Sequence, residues 1–241
     1  MLIPTIRDTA RVALAGAVVA IATSFPAWSQ ESSQQREQVQ AEVVGAQATL
    51  TDLMRDADAK WFQDNIGKAK GVLIGSEMLK KAKVLKAGAG GPAVLLVKGA
   101  DGKWRGPAFV TVAMEPTAIK EGVVAAQVAA LVMTDKAVSA LMSGTAKLGG
   151  DVSYAAGPVG AAPGSNPAAD TVGYSRTKGA YGTVNLDGAT VKINDDWDAA
   201  YYSSQTVKPK DILETGKATN RDAVPLVNAV TKAAGGPPPK K

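Results

Sequence analysis

The sequence predicts an α+β domain: a mostly antiparallel β-sheet covered by an N-terminal amphipathic helix, with one mid-chain helix and helical segments at the C-terminus. Three observations carry this. Apolar residues recur at steps of three and four between Val39 and Trp61, which is helical spacing. Short apolar runs broken by Gly and Pro follow from Gly71 to Met133, which is strand spacing. Short connections such as the turn at 99–104 do not allow the crossovers that parallel strands need. With 241 residues, 46% of them hydrophobic, the chain can bury one sizeable core.

Residues 1–29 read as a signal peptide. Arg7 and Arg11 precede the apolar run Val12–Phe25, and Pro26, Ala27 and Ser29 supply the small residues of a cleavage site after Ser29. About 14 apolar residues fall short of the roughly 20 that a spanning helix needs. A periplasmic or secreted protein is therefore expected, peripheral to a membrane rather than crossing it. Residues 30–40 are polar and read as a flexible lead, 41–234 as one domain, and 235–241 as a disordered tail.

Val39, Val43, Ala46, Leu50, Leu53, Ala57 and Trp61 fall on one face of the first helix, with Glu42, Asp52, Arg55 and Asp56 largely off it. Such a stripe can lie on a membrane, but the polar face is not enriched in Lys or Arg, which favours packing on a sheet. The runs 71–75, 92–99, 107–114 and 122–133 are the next strands. A turn at 99–104, with Asp101 and Gly102 suited to positive φ, joins two of them. Thr134 caps a helix whose apolar side is Ala137, Val138, Leu141 and Met142, and Gly144 suits its left-handed end. A strand starting at Asp151 dissolves into a Gly, Pro and Ala loop. Asp187 and Gly188 mark a two-residue hairpin between 180–186 and 189–194. The chain closes with helical 195–204, a turn at 208–214 and a helix over 223–234 with Pro225 in its first turn.

Chemistry is constrained by what is missing. There is no Cys and no His, so disulfides, thiolates, imidazole bases and the usual zinc or copper ligand sets are excluded. No cofactor or metal site is expected. Gly173, Tyr174, Ser175, Arg176 and Thr177 come within one residue of a nucleophile elbow, yet Thr177 is too large for its fifth position and a strand follows instead of a helix. A Ser175 and Lys178 pair would need a desolvated lysine, whereas Arg176 and Lys178 share a face at strand spacing. Gly88, Gly90 and Gly91 resemble the start of a dinucleotide fingerprint, but Pro92 and a β-rich run follow, so close strand approach is the expected use.

The segments 69–75, 102–110, 132–160, 174–202 and 211–213, with "KLGGDVSYAAGPVG" and "YSRTKGAYG" the most specific, resemble the SYLF domain, also called the Ysc84 or Las17-binding family. The resemblance implies a non-enzymatic, lipid-binding module. Eukaryotic members bind phosphoinositides at actin-linked membranes, and bacterial members are exported lipid-binding proteins. One segment departs: where the family carries a glycine-rich stretch, residues 115–124 read "EPTAIKEGVV" and keep only Gly122. No catalytic residue is carried over.

Without residues 1–29, which hold Arg7, Arg11 and Asp8, the 27 basic and 22 acidic residues become 25 and 21, a mildly basic chain. For an envelope protein this points to anionic phospholipid rather than nucleic acid. The candidate contact is Lys80, Lys81, Lys83 and Lys86, with Arg176 and Lys178 as a second patch. Ordinary solvated lysines remain the alternative for the cluster. Two rival functions stay open: a scaffold for other envelope proteins, using exposed strands, the loop 157–170 or the tail, and a hydrolase built on carboxylates or a Ser/Lys pair.

Overall fold

The computed structural model describes residues 27–76, 89–114, 126–160, 167–177, 180–181 and 185–236. In chain order the elements are α1 (Ala27–Leu53), a 3-10 turn (Ala57–Ala59), α2 (Lys60–Asn65), a second 3-10 turn (Ile66–Lys68), β1 (Gly71–Gly75), β2 (Ala89–Lys98), β3 (Trp104–Met114) and β4 (Gln127–Val132). They continue with α3 (Asp135–Met142), β5 (Thr145–Lys147), β6 (Tyr154–Ala156), β7 (Thr171–Thr177), β8 (Ala180–Tyr181) and β9 (Thr190–Ile193). The C-terminal part holds α4 (Asp195–Tyr202), α5 (Pro209–Leu213), a 3-10 turn (Arg221–Ala223) and α6 (Val224–Ala233). The α+β class holds as expected.

One sheet runs in the order β5-β9-β3-β2-β1-β4-β7-β6, with β8 pairing β7. Every named strand pair is antiparallel except β6 with β7. The sheet must curl. Laid flat, its eight-strand path would span about 34 Å at ~4.8 Å per step, yet Lys147 and Tyr154, on opposite edges, are joined by a link that reaches at most about 24 Å. A parallel bridge between Leu148 and Val152 lies in that link. Tyr154 also hydrogen-bonds the Leu186 backbone, which reaches from β6 to the segment before β9.

Alternation assigns the two faces. Leu73, Leu95, Val110, Val112, Val128 and Val191 point to the inner core, which α3 and α5 close with Leu141, Ile212 and Leu213. Val72, Ile74, Val94, Leu96, Ala129 and Leu131 point outward, under α1, the turn around Phe62 and Ile66, and α6. β2 carries the expected close approach: a Cβ on Gly90 would lie 2.0 Å from the Val112 carbonyl oxygen.

Reciprocal packing of tyrosine on glycine holds the parallel pair together. The Tyr154 ring occupies the space over Gly173, where an added Cβ would meet it at 2.6 Å, and the Tyr174 ring does the same over Gly157 at 2.0 Å. Tyr174 then donates to the Pro158 carbonyl at 3.0 Å. These four residues lie in or beside the segments that carry the family resemblance.

Several expectations hold and four change. Val39, Val43, Ala46, Leu50 and Leu53 are buried against the sheet, so the stripe packs on the core. Thr134 caps α3 by accepting from the Ala137 N–H at 3.2 Å, and Gly144 and Gly102 have positive φ. Residues 30–40, expected as a flexible lead, belong to α1: Val39 is anchored in the core, and the Gln- and Glu-rich segment before it favours continued helix. The helix also ends sooner than the spacing indicates. Gln63 Nε2 donates to the carbonyls of Leu53 and Asp56 at 2.8 and 2.6 Å and Asp56 caps the next turn, so Ala59, Phe62 and Ile66 fill the core in place of Ala57 and Trp61.

The expected hairpin at Asp187 and Gly188 is a turn between strands that do not pair. β8 pairs β7, whereas β9 lies between β3 and β5. Leu186, fully buried, pulls the approach to the turn into the core, and the Gly188 N–H donates to the Leu148 carbonyl. Residues 208–214, expected as a turn, form α5, with Pro209 at its start and Ile212 and Leu213 buried. The atypical segment 115–124, most of the tail 235–241 and residues 1–26 lie outside the described residues.

Candidate functional site

β1, β3 and β7 end, and β2, β4 and β9 begin, at the same end of the sheet, as the pairs Gly75↔Val128, Ala89↔Met114, Ala113↔Thr190 and Gln127↔Arg176 record. α1 crosses this end and leaves a cleft of about 400 Å³ lined by Gln38, Glu42, Thr49, Ser76, Gln127 and Trp197 among others. Glu42 is only 6% exposed although it sits beside the apolar stripe. It accepts from the Ser76 N–H at 3.2 Å and from the Ser76 hydroxyl at 3.3 Å, so the carboxylate ties α1 to the end of β1. Gly45 permits that approach, because a Cβ there would stand 2.5 Å from Ser76 Oγ. Two further contacts fix the end of α1. Gln127 Nε2 donates to Asp52 at 3.1 Å, and Arg176 Nη1 donates to Asp56 at 2.8 Å.

Arg176 is therefore a clamp between β7 and the turn after α1, about a quarter exposed and neutralised by Asp56. Lys80, Lys81, Lys83, Lys86 and Lys178 lie outside the described residues. The segment that carries the four lysines joins β1 to β2, whose termini open at this end of the sheet. Ser175 is a buried strand residue opposite Val128 in the β4–β7 ladder, not the apex of a strand-to-helix turn. The elbow reading fails on that geometry. The cleft residues Glu42, Thr49 and Gln127 were not singled out by sequence. Glu42 adjoins Val43 at the edge of the stripe, and that adjacency was the one available signal.

A second cluster lies where α4 meets β3. Asn194 follows β9 directly; its N–H donates to the Phe109 carbonyl at 2.9 Å and its side chain caps α4. One turn on, Asp198, fully buried, accepts the Phe109 N–H at 2.8 Å. Burial, aided by the negative charge of Asp195, pushes the Asp198 carboxyl up to about 7 against the single opposing hydrogen bond. Phe109 stacks edge-on with Trp197 and Tyr201, and the Tyr202 hydroxyl donates to the Pro107 carbonyl at 2.7 Å. Burial also pushes both tyrosine hydroxyls upward. Among the described residues, no cluster of three or more carboxylates could hold a metal ion, and no helix is long and apolar enough to cross a membrane.

Residues 117–233 match the family model Ysc84, described as "Las17-binding protein actin regulator". The chain is similar to SH3 domain-containing YSC84-like protein 1 of Homo sapiens, 29% identical over 153 residues that cover 61% of this chain and 44% of that protein. It is also similar to two proteins of Saccharomyces cerevisiae: protein YSC84, 28% identical over 142 residues (56% of this chain, 30% of that one), and LAS seventeen-binding protein 3, 29% identical over 146 residues (58% and 31%). The chain thus spans less than half the length of these relatives. The family match takes in β4 to β9 and α3 to α6, including the Tyr154–Gly173 and Tyr174–Gly157 packing, so residues 117–233 of the chain carry the Ysc84 match.

Proposed function

We propose that this is an exported, non-enzymatic lipid-binding protein that associates with anionic phospholipid at the cell envelope through Lys80, Lys81, Lys83 and Lys86, with Lys178 as a lesser contact. The observation that carries the reading is the anchorage of the lysine-bearing segment. It is held on both sides by β1 and β2, which lie side by side in the middle of the sheet. Each lysine near an anionic surface contributes up to about 1 kcal/mol, so four acting together give a salt-sensitive attraction of useful size. Arg176, committed to Asp56, is a weaker candidate for lipid than the four lysines. The strand geometry around Ser175 favours the absence of a nucleophile.

Flotation with liposomes tests the proposal. Protein lacking residues 1–29 should float with vesicles in proportion to their anionic content, less at physiological than at low salt. Changing the four lysines to Gln should reduce the bound fraction several-fold. Unchanged flotation would remove the cluster from the proposal, and none under any condition would remove lipid. A second reading, docking of a protein partner, is favoured by relatives whose names record binding to Las17. Saturable, lipid-independent binding to a protein would support it. The N-terminal mass of the protein purified from its host decides export: a chain beginning at Gln30 fits cleavage after Ser29.

A further inference from the structure

The β3–β9 ladder begins at Val110, so Phe109 lies just past the residues of β3 that β9 pairs. The Asn194 N–H serves the Phe109 carbonyl, and Asp198 supplies the acceptor for the Phe109 N–H that a strand carbonyl would otherwise provide. A carboxyl group is an unusual choice for that task. Asp198 is fully buried, and its second oxygen, Oδ2, has no hydrogen-bond partner among the described residues. The Tyr201 hydroxyl, one turn along the same helix, has none either.

Among the described residues, no cation compensates the ionised form. On α4 itself, Asp195 acts on Asp198 with the same sign, and Tyr201 and Tyr202 are neutral neighbours. From β3 it receives only the Phe109 N–H; the strand's one charged residue, Arg105, is paired with Asp101. α1 brings Arg36 to the groove beside Asp196 and Glu42 to the cleft, while β9 has Lys192 exposed. Asp222, in the 3-10 turn before α6, acts on Tyr201. A buried carboxylate with a single hydrogen bond and no counter-charge among the described residues is costly, whereas its protonated form keeps the bond to Phe109 through Oδ1 and leaves only a neutral hydroxyl unpaired, at much lower cost.

We propose that Asp198 is a proton-operated latch for α4: protonated, it seats the helix on β3 and α1; ionised, it releases the helix, and with it Trp197 at the wall of the cleft. The sign follows from linkage. In the released helix the carboxyl is hydrated and titrates in its ordinary range near 4; in the seated helix it holds its proton to about 7. Release therefore becomes easier by about tenfold per pH unit between those values and levels off above neutrality. The cleft between α1, α4 and the sheet is tightest in acid, whichever partner it meets.

Hydrogen exchange read by mass spectrometry on the full chain between pH 4 and 8 tests this. After correction for intrinsic exchange, protection of the amides of α4 should fall about tenfold per pH unit up to about 7 and then level off, while those of α3 stay constant. Asp198→Asn, isosteric with the protonated acid, should keep the low-pH protection of α4 throughout. A wild-type α4 profile that is flat with pH, or one parallel to α3, overturns the proposal without recourse to any variant. So does an Asp198→Asn protein that keeps the full pH dependence.

Discussion

Asp170 and Asp198 are both engaged carboxyls, and they respond to acid in opposite directions. Asp170 accepts from the Thr134 hydroxyl at 2.8 Å and from the Ser153 hydroxyl and N–H at 2.9 and 3.1 Å, with Lys136 at 3.5 Å. The Thr134 and Ser153 hydrogen bonds hold its carboxyl down at about 2. Because the folded-state value lies below the ordinary one, its stabilising contribution is complete above about pH 4 and is lost as pH falls towards 2. Asp170→Asn should lower the melting temperature at neutral pH and flatten the acid limb between pH 4 and 2. Thermal melts across that range check it, and a variant with the wild-type acid limb would assign the loss to other carboxylates. Neither role could be read from sequence, since both depend on partners distant along the chain.

At the level of elements, sequence periodicity identified what packing alone decides and missed what partners decide. The stripe on α1, the cap at Thr134 and the apolar runs of β1 to β4 are local patterns, and each is present among the described residues. The pairing of β9 was not readable, because Asp187 and Gly188 specify a turn and say nothing about which strand the chain joins afterwards. Leu186 and the Leu148 backbone make that choice. The cleft was unreadable for the same reason: Glu42 acquires its meaning only when Ser76 arrives from another element. The β6–β7 pair gives a direct test of element packing. Gly173→Val would drive a side chain into the Tyr154 ring and should cost about 1–3 kcal/mol, the usual penalty of overpacking. Denaturant titration measures it, and a loss well under 1 kcal/mol would mean that the ring can move aside freely.

Across the whole molecule, the N-terminal and C-terminal helices depend on each other. α1 packs on β1, β2 and β4 and also on α4 and α6, which follow more than 140 residues later. Its buried residues, Val39, Val43, Ala46, Leu50 and Leu53, contribute on the order of 8 kcal/mol at the usual gain per buried side chain. That is comparable with the entire stability of an ordinary domain. Deleting residues 27–53 should therefore abolish the cooperative thermal transition followed by circular dichroism, and a shortened chain that still melts cooperatively would show that the sheet and the remaining helices suffice.

The link that forces the sheet to curl also bears on its solubility and on how partners can reach it. β5 and β6, at the two ends of the strand order, are three residues each, and one chain segment, bridged at Leu148 and Val152, carries the fold from the first to the second. Such short margins offer little template for another chain to extend, which protects a β-rich protein against sheet-to-sheet aggregation and domain exchange. A peptide seeking to add itself as a further strand would find three backbone positions at most on either of these strands. Strand addition at β5 or β6 is thus disfavoured, which leaves the helices and the end of the sheet where β1 ends and β2 begins as the surfaces a partner could use.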